Sequence, residues 1–339
     1  MKKSRKKLLL VYHFYSSFVR KDYEILSEKY EVKRYYFRSS KNSPAMLKSF
    51  IKFFLFLLLN IFRFNYIFCW FADYHSFLPV LFAKIFGKKS FLVLGGYDVT
   101  YIPELNYGSF NSPLRSLATG FSIKNASLNL PVAERLKAEI LQRFPRIKTE
   151  VVPTGYSPDY FVPDKNIKKE NIVLTCGKID SYKRFVIKGI DLFWKAAELL
   201  PQYTFVILDI TPEMQKLIEP LPKNLKLLEM IPQKEVIKFY QKAKVYAQFS
   251  LREGFPNSVC EAMLCECIPV GTDVGAMKEI IGNNGFLLKS RDISEIVQTI
   301  EKAINAPLSL GKKAREQIKK KFTVEQRKEK LYQLLETSE

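Results

Sequence analysis

Short apolar runs alternate along the chain with longer segments in which apolar residues recur every three or four positions. In the first half the runs are LLLVYHF, VKRYYF, YIFCWF and SFLVLGG, and helical patterns cover residues 19–29 and 77–86. Apolar runs that alternate with amphipathic helices are typical of the strands and crossover helices of a parallel sheet. The first half therefore predicts a doubly wound α/β domain.

A second series of the same kind begins after Asp164. Its runs are NIVLTCG, YTFVILDI, AKVYAQFS and CIPVGTD, and helical patterns cover residues 189–200 and 234–242. At 339 residues the chain is long enough for two domains of roughly 150 to 170 residues, each with its own core. The count of strands and helices predicts two Rossmann-like domains.

The boundaries follow from the segments between these patterns. FVPDKNIKKEN, residues 161–171, carries a proline and mixed charges between two apolar runs, which indicates a linker. The end of the chain, FTVEQRKEKLYQLLETSE, predicts a closing helix with Thr323 as its cap. We expect domains over residues 1–163 and 164–322, and a helix over 323–339 that can pack back toward the first domain.

Composition narrows the class of protein. The chain is 47% apolar and 26% charged, as in globular proteins, which argues against a disordered chain and against a polytopic membrane protein. Its 54 Lys and Arg face 34 Asp and Glu, a net charge of +20, and residues 1–165 hold 26 basic and 12 acidic residues. We expect the positively charged first half to bind a negatively charged partner. Nucleic acid, an anionic membrane and a phosphorylated substrate all carry the required negative charge.

The five cysteines show no pairing pattern of a disulfide framework, which favours a reducing cytosol. Three of them lie close together and raise the possibility of a zinc site, but no histidine follows them, so buried thiols are the preferred interpretation. The start, MKKSRKKLLLVYHFYSSF, imitates a signal peptide, yet it lacks a small-residue cleavage site and runs into a charged segment. We predict a first strand there. The cysteines are Cys69, Cys176, Cys260, Cys265 and Cys267.

The segment SFIKFFLFLLLNIFRF, Ser49–Phe64, is almost wholly apolar. Lys52, Asn60 and Arg63 interrupt it, and it is short for a transmembrane span. Two interpretations stay open, a fully buried helix or a helix in the membrane interface whose basic side chains reach toward lipid phosphates. The second would make a cytoplasmic protein peripheral to the inner face of the plasma membrane.

The stretch SLREGFPNSVCEAMLCE, which follows the run AKVYAQFS, carries the candidate chemistry. It predicts a turn and then a helix capped by Asn257 or Ser258, beyond the carboxyl end of a parallel strand, where open α/β sheets bind ligands. Unsatisfied amides at a helix start can hold a diphosphate. Glu261, one turn into the helix, can accept from both hydroxyls of a ribose, and Glu253, on the loop, can accept from the hydroxyls of a sugar. Together these groups suit a nucleotide sugar.

EGFPNSVCEAM, with its two glutamates, resembles the signature of the retaining family 4 glycosyltransferases. Further resemblances follow in order along the chain: FLVLGGYDV (91–99), EVVPTGYSPDYFVP (150–163), LTCGKID (174–180), IKGIDLFWKAAELLP (187–201) and VGAMKEII (274–281). The resemblance implies the GT-B fold, in which two Rossmann-like domains face a cleft and the C-terminal domain holds the donor. It also implies transfer of a sugar, of hexosyltransferase type, without a metal ion or other cofactor.

By the same resemblance, two basic residues lie on the donor phosphates, and here they are Lys178 and Lys188. Lys183 or Arg184, in the loop between them, could take over either role. Positive charge there suits a leaving diphosphate, which gains negative charge in the transition state. The predicted catalytic residues are Glu253, Lys178, Lys188 and Asp98; the predicted substrate-binding residues are Glu261, Gly254, Phe255, Pro256, Asn257, Ser258, Gly177, Lys183, Arg184, Gly95, Gly96, Tyr97 and His75.

The chain departs from the family at two places in its first half. The segment HFYSSFVRK, after the first strand, lacks the glycine-rich loop that many members have there. Many members also have a histidine after the strand FLVLGG, where this chain has Gly95, Gly96, Tyr97 and Asp98. We expect Asp98 to lie near the acceptor. His75 either faces the cleft or caps a helix, and His13 is predicted to be structural.

These observations favour a bacterial-type transferase that moves a sugar from a nucleotide-diphosphate sugar to a glycan or lipid-linked acceptor, in the synthesis of cell-surface polysaccharide or glycolipid. The alternatives are a non-catalytic nucleotide-sugar-binding protein of the same fold and a sugar epimerase. A nucleic-acid binder has only the net charge in its favour, because the chain lacks the aromatic and basic motifs of known modules.

Overall fold

The computed structural model describes residues 5–40 and 42–337. The chain divides into two compact units, residues 1–153 with 327–339, and residues 154–326. The second unit begins at Thr154, so the segment 161–171 that suggested a linker lies within it. The closing helix crosses from one unit to the other, because its residues from Arg327 onward belong to the first unit.

The first unit is built on one sheet of five parallel strands in the order β2-β1-β3-β4-β5. Strands β1, β3 and β4 are buried almost throughout, as expected when helices cover both faces of a parallel sheet. The order reverses at β1, since the chain runs from β1 out to β2 and then back across to β3. The strands are β1 (Lys7–Tyr12), β2 (Glu31–Tyr36), β3 (Tyr66–Trp70), β4 (Lys89–Leu94) and β5 (Leu128–Pro131).

The helices of the first unit agree with the sequence patterns where a pattern was clear. Ser16 caps the first helix, through a bond from the Val19 N–H to its hydroxyl. The segment after β5 forms a helix that the apolar pattern did not single out. The helices are α1 (Ser17–Lys29), α2 (Ser43–Asn60), α3 (Tyr74–Ile85), α4 (Pro113–Asn125) and α5 (Glu134–Arg143), joined near the end of the chain by α14 (Val324–Thr337), which Thr323 caps.

The second unit contains a sheet of six parallel strands in the order β8-β7-β6-β9-β10-β11. This is the strand order 3-2-1-4-5-6 of a Rossmann domain, in which the chain changes direction at the first strand. Four of the strands were predicted from apolar runs, whereas the short edge strands β8 and β11 were not. The strands are β6 (Glu170–Ile179), β7 (Thr204–Ile210), β8 (Leu225–Leu228), β9 (Ala243–Gln248), β10 (Ile268–Thr272) and β11 (Phe286–Leu288).

Helices cover both faces of the second sheet, and α12 packs on β9, β10 and β11. The predicted helices over 189–200 and 234–242 are present within a residue or two of these bounds. The helices are α6 (Tyr182–Ile187), α7 (Ile190–Leu199), α8 (Pro212–Leu217), α9 (Gln233–Lys242), α10 (Asn257–Leu264), α11 (Met277–Ile281), α12 (Ile293–Asn305) and α13 (Leu308–Lys321).

Helix α2 contradicts one of the two interpretations of Ser49–Phe64. Of its eighteen residues only Phe53 and Leu57 are buried, so it is not a fully buried helix. Together with the turn to Arg63 it is the one helix of the described residues whose length and composition would suit a membrane span, and 17% of its most apolar window is buried. The apolar side chains of α2 therefore form part of the surface of the first unit.

Both units have the predicted architecture of a doubly wound parallel sheet. The physical basis is the one read from the sequence: continuous apolar runs form strands that are buried on both faces, and amphipathic segments cross between them. The fold class is confirmed.

Candidate active site

The second unit has its ligand crevice where the strand order reverses. β6 and β9 are neighbours in the sheet. After β6 the following strands are added toward one edge of the sheet, and after β9 they are added toward the other edge. At such a switch point the loops separate beyond the carboxyl ends of the strands and leave a crevice. The segment 177–189 follows β6, and the segment 249–258 follows β9, so the two motifs recognised in the sequence meet here.

Glu253 is fixed by three hydrogen bonds that converge on one carboxylate oxygen. Its Oε1 accepts from Lys188 Nζ at 2.7 Å, from Gln248 Nε2 at 2.6 Å and from Ser250 Oγ at 2.7 Å. Its side chain is only 9% exposed. Since Oε1 carries all three bonds, the second oxygen, Oε2, is not needed to hold Glu253 in place and can accept from a ligand.

Lys188 owes its position to the glycine that follows it. Gly189 has φ +68°, and a Cβ there would lie 2.1 Å from the carbonyl oxygen of Phe249. Only glycine allows the two segments to approach so closely. The Leu251 N–H also donates to the Ile187 carbonyl at 2.8 Å, which ties the β9 loop to the end of α6. The Lys-Gly pair therefore brings the ammonium group directly onto Glu253.

The loop that carries Glu253 is held from a third side by the segment after β10. The Ala276 N–H donates to the Gly254 carbonyl at 3.0 Å. The Thr272 hydroxyl donates to the Ser250 carbonyl at 2.6 Å. Phe255 anchors the loop in the core, with its ring against those of Tyr156 and Phe322. The VGAMKEII segment thus has a structural reason to accompany the glutamate motif.

The start of α10 differs in detail from the prediction. Neither Asn257 nor Ser258 caps the helix; Pro256 occupies the cap position and provides no side-chain cap bond. The Asn257 side chain instead accepts from the hydroxyls of Thr154 and Tyr156, and the Ser258 hydroxyl donates to Gln248 Oε1 at 3.3 Å. The Val259 N–H donates to the Pro256 carbonyl at 3.2 Å. The amides before it, those of Asn257 and Ser258, are at the helix start, where an anion can bind.

Glu261 lies in the second turn of α10. The Tyr240 hydroxyl donates to its Oε2 at 3.4 Å. Glu261 also lies near Cys176 at the end of β6: burial raises the pKa of the Cys176 thiol to about 12, and the charge of Glu261 adds to this shift. The two glutamates of the motif are thus both placed at the switch point, Glu253 before the helix start and Glu261 after it.

The other predicted basic residues are more exposed than Lys188. Lys178 Nζ lies 3.5 Å from Asp180 Oδ2, and Arg184 donates to the same oxygen at 2.9 Å. Lys183 is exposed on α6, the short helix that also carries Arg184. Gly177 borders the aliphatic part of the Lys188 side chain. Of the four basic candidates, the structure brings Lys188 into contact with Glu253.

The first unit has a second switch point between β1 and β3. His13 follows β1, and its ring centroid lies 4.6 Å from that of His75 at the start of α3. His75 is buried, and its Nε2 is 2.7 Å from the Trp70 carbonyl, which makes Nε2 the protonated nitrogen. Burial, reinforced by the nearby His13, lowers the pKa of His75 to about 3. His75 is therefore neutral in the physiological range and does not face solvent.

Asp98 also has a different environment from the one expected. It is 1% exposed, and its carboxylate accepts from the backbone N–H groups of Ala72, Gly95 and Gly96 at 2.8–3.2 Å. Burial raises its pKa to about 6 despite these bonds. In this arrangement Asp98 organises the loop after β4 and ties it to the end of β3, so it is not exposed to an acceptor.

A polar group that is accessible in the first unit lies beside these buried residues. Arg115, from α4, has its Nε 3.1 Å from Asp73 Oδ1 and donates from Nη1 to the Tyr97 hydroxyl at 3.0 Å. Tyr97 was predicted as a binding residue. Arg115 was not predicted, because a lone arginine in a helical pattern carries no signal of its own.

Gln248 and Ser250 were also not predicted from the sequence, because the pattern around them gave no separate signal of function. Both belong to the run AKVYAQFS, where they read as the end of an apolar strand. Polar side chains at the carboxyl end of a buried parallel strand are a usable signal, since that edge is where ligands bind. Gln248 bonds to both Glu253 and Ser258, so it joins the loop to the helix start.

The three cysteines that lie close together in the sequence are buried; they are Cys260, Cys265 and Cys267. The Cys267 thiol donates to the Tyr240 carbonyl at 3.0 Å, and burial raises the pKa of Cys265. Within residues 5–40 and 42–337, no group of three or more His, Cys, Asp or Glu side chains could hold a metal ion.

Comparison with known proteins finds a family to which the same residues are similar. Residues 161–322, slightly less than half of the chain, match the family described as Glycosyl transferases group 1. The match lies within the second unit and includes the whole switch-point site. The first unit lies outside it.

Two curated relatives are similar over parts of the chain. Trehalose synthase of Thermococcus litoralis is 30% identical over 185 residues, which are 48% of this chain and 43% of the relative. N-acetylgalactosamine-N,N'-diacetylbacillosaminyl-diphospho-undecaprenol 4-alpha-N-acetylgalactosaminyltransferase of Campylobacter jejuni is 25% identical over 217 residues, which are 61% of this chain and 58% of that protein. The chain thus spans less than half the length of the first relative and somewhat more than half of the second.

A solved structure is similar over nearly the whole chain. The crystal structure of Anabaena Alr3699/HepE in complex with UDP-glucose has a TM-score of 0.75 and 16% sequence identity, and the match covers 98% of this chain and 99% of that one. At this identity the likeness shows the fold, which is the GT-B fold that the sequence motifs implied.

Proposed function

We propose that this protein is a retaining glycosyltransferase of family 4, of hexosyltransferase type, that moves a sugar from a nucleotide-diphosphate sugar to a glycan or lipid-linked acceptor. The single observation that carries the proposal is the position of Glu253. Lys188, Gln248 and Ser250 hold it at the switch point of a Rossmann domain, next to the uncapped start of α10. A carboxylate, a cation and open helix amides are the groups that a nucleotide sugar requires.

Each part of the donor has a partner among these groups. The first amides of α10 and the ammonium of Lys188 would bind the diphosphate, with Lys178 nearby. Glu261 would accept from the ribose hydroxyls, and Glu253 from the hydroxyls of the sugar through Oε2. In the transfer step the bond between the anomeric carbon and the diphosphate oxygen breaks, a bond from the acceptor hydroxyl oxygen to the same carbon forms with retention, and the hydroxyl proton passes to the departing diphosphate. Lys188 stabilises the negative charge that the diphosphate gains. Lysines in this place let transfer proceed without a divalent ion.

The acceptor side rests on the first unit. Its net positive charge and the exposed apolar face of α2 fit an acceptor at a membrane, on the cytoplasmic side of the plasma membrane. The name of the Campylobacter jejuni relative records an undecaprenol-linked acceptor for that enzyme. Both observations support a bacterial enzyme of cell-surface polysaccharide or glycolipid synthesis.

Thermal stabilisation by a panel of nucleotide sugars and nucleoside diphosphates tests the donor site. A ligand of the folded state raises the melting temperature by mass action. We expect selective stabilisation by one donor in the wild type, its loss in Glu261→Ala, and its retention in Glu316→Ala, an exposed acid of the same unit. The absence of a shift with every compound, in folded protein, would contradict the donor site.

Two other functions use the same fold. A binding protein without catalysis is favoured by the segment HFYSSFVRK, which follows β1 without a glycine. That protein would show donor stabilisation but release no nucleotide. A sugar epimerase would convert its donor without an acceptor, so analysis of the sugar after incubation separates it from a transferase.

A further inference from the structure

The first unit presents a continuous apolar surface on α2. Along this helix and the turn after it, residues at helical spacing point outward, while Phe53 and Leu57 point into the core. Leu59 is 75% exposed and Phe62 is 69% exposed. Exposed residues of this size are normal singly but costly as a group, so a surface of this kind indicates a binding partner. The outward residues are Leu47, Ile51, Phe54, Leu55, Leu58, Leu59 and Phe62.

Beside this surface lies an apolar groove. It has a volume of about 530 Å³ and is formed by Phe50 of α2, Phe77 of α3 and the side chains of α4 that include Leu117 and Phe121. The volume lies within the range of about 300–1,000 Å³ that is usual for ligand sites. Leu114 and Leu117, on the rim, are exposed in the same way as the outer residues of α2. The groove and the α2 surface thus share one apolar face.

The polar residues at the groove are a cation and an amide. Lys124 and Asn125 belong to its lining, and Lys84 donates from Nζ to Asn125 Oδ1 at 2.5 Å, which brings a second ammonium group to the same place. The surrounding sequence also has a net positive charge, because residues 38–97 contain eight Lys or Arg and a single acid, Asp73. An occupant must therefore combine an apolar body with a negative charge.

We propose that this groove binds one acyl chain of an anionic membrane phospholipid, whose phosphate lies against Lys124 and Lys84. A hydrocarbon chain needs no hydrogen-bond partners, which suits walls made of phenylalanine and leucine. The phosphate needs the cations, which are Lys124 in the groove lining and Lys84 beside Asn125. A bound lipid chain would anchor α2 in the bilayer more specifically than an apolar surface alone can. The site is separate from the donor site and does not depend on the proposed transfer reaction.

Dodecyl phosphate, kept below its micelle concentration, tests the groove with the whole chain. Native mass spectrometry and thermal stabilisation should both report one molecule bound per protein. Ala118→Phe adds bulk to the groove lining and should weaken binding by roughly tenfold or more. Leu117→Gln, at an exposed position that the fold does not need, should weaken it in the same direction. Leu59→Ser, on the apolar face outside the groove, should leave it unchanged.

The headgroup is tested in parallel. Lys124→Glu should weaken dodecyl phosphate binding, and inorganic phosphate alone should not bind. Binding that is equal in Ala118→Phe and wild type, or that involves many copies of the amphiphile, would overturn the proposal. Light scattering distinguishes one further outcome: a dimer of the wild type that Leu117→Gln dissociates, with no amphiphile bound, would show that a second copy covers this face.

Discussion

Gln248 helps to hold Glu253 in position. Its amide nitrogen donates to Glu253 Oε1 at 2.6 Å, and its amide oxygen accepts from the Ser258 hydroxyl at 3.3 Å. Gln248→Leu removes both bonds at a buried position. We expect kcat to fall about tenfold while the KM for the donor changes little, because Glu253 keeps its charge and loses part of its orientation.

Steady-state kinetics, with the donor identified by thermal stabilisation, measures the kcat and KM of Gln248→Leu. Gln298→Leu, at an exposed position of α12, is the matched control and should behave as wild type. Equal kinetics in Gln248→Leu and Gln298→Leu would show that Gln248 does not position Glu253.

His75 gives the first unit a definite response to acid. Its folded-state pKa is about 3, well below the ordinary value of 6.5, mainly because it is buried. Below pH 6.5 the unfolded chain takes up a proton at this residue and the folded chain does not. The stability that neutral His75 provides is therefore full above pH 6.5 and is lost as the pH falls toward 3.

We expect His75→Gln, which can still donate to the Trp70 carbonyl, to lose less stability in acid than the wild type. The difference between the two free energies of unfolding should change by about 1.4 kcal/mol per pH unit well below pH 6.5. Urea unfolding from pH 7 to pH 5 measures it. If the free energies of unfolding of wild type and His75→Gln changed with pH in parallel, His75 would have an ordinary pKa in the folded protein.

At the residue scale, the sequence could locate Glu253 and Glu261, because they belong to a local motif with a chemical reason for its spacing, and the family resemblance indicated Lys188. It could not show that Asp98 is buried. Asp98 accepts a bond from the Ala72 amide, 26 residues away in the turn between β3 and α3, and burial of this kind depends on how neighbouring strands bring their loops together.

Helix α14 is held to the first unit by a buried ion pair. Arg327 donates from Nε and Nη2 to the two carboxylate oxygens of Asp22 at 2.6 Å, and from Nη1 to the carbonyls of Val152 and Pro153. Trp70 Nε1 donates to Asp22 as well, at 2.8 Å. The pair therefore joins α14, α1 and the last residues before the second unit.

Removing one partner leaves a buried charge without compensation. We expect Arg327→Met to lower the free energy of unfolding by about 3–5 kcal/mol. Lys330→Ala is the comparison on the same helix, because Lys330 lies 3.9 Å from Glu150 at the surface and such pairs contribute about 0–1 kcal/mol.

Urea unfolding of both variants measures the difference. The double variant Asp22→Leu with Arg327→Met should be less destabilised than Arg327→Met alone, since no charge is then left buried. Similar losses for Arg327→Met and Lys330→Ala would contradict the view that this pair fastens α14.

At the element scale, the apolar pattern predicted the long strands and the amphipathic helices well. Edge strands such as β8 (Leu225–Leu228) were missed because a run of four residues is too short to show a period. The position of α2 was left open for a different reason. A helix that is apolar on all sides looks the same in sequence whether its outer side faces a core or a membrane.

At the scale of the whole molecule, the net charge of +20 acts together with the apolar face of the first unit. We expect binding to phosphatidylglycerol vesicles that weakens as salt is raised from about 0.1 M to about 1 M, because the screening length falls from about 10 Å to about 3 Å. Vesicle sedimentation measures it, with phosphatidylcholine vesicles as the control. Binding that ignores both salt and headgroup would mean that charge has no part in it.

The two-domain architecture was predictable because each domain repeats the same alternation of strand and helix. The strand orders were not, since β2-β1-β3-β4-β5 and β8-β7-β6-β9-β10-β11 arise from similar patterns along the chain. The order matters for function: only it shows that the Lys188 and Glu253 segments follow adjacent strands and meet at one crevice.

The measurement that tests the central claim most directly is nucleotide release from the stabilising donor, compared between wild type and Glu253→Gln at saturating donor. We predict measurable release by the wild type and by Glu316→Ala. In Glu253→Gln, which loses the negative charge that Lys188 contacts, we predict a rate lower by about a hundredfold. Equal release by wild type and Glu253→Gln would contradict catalysis at this site.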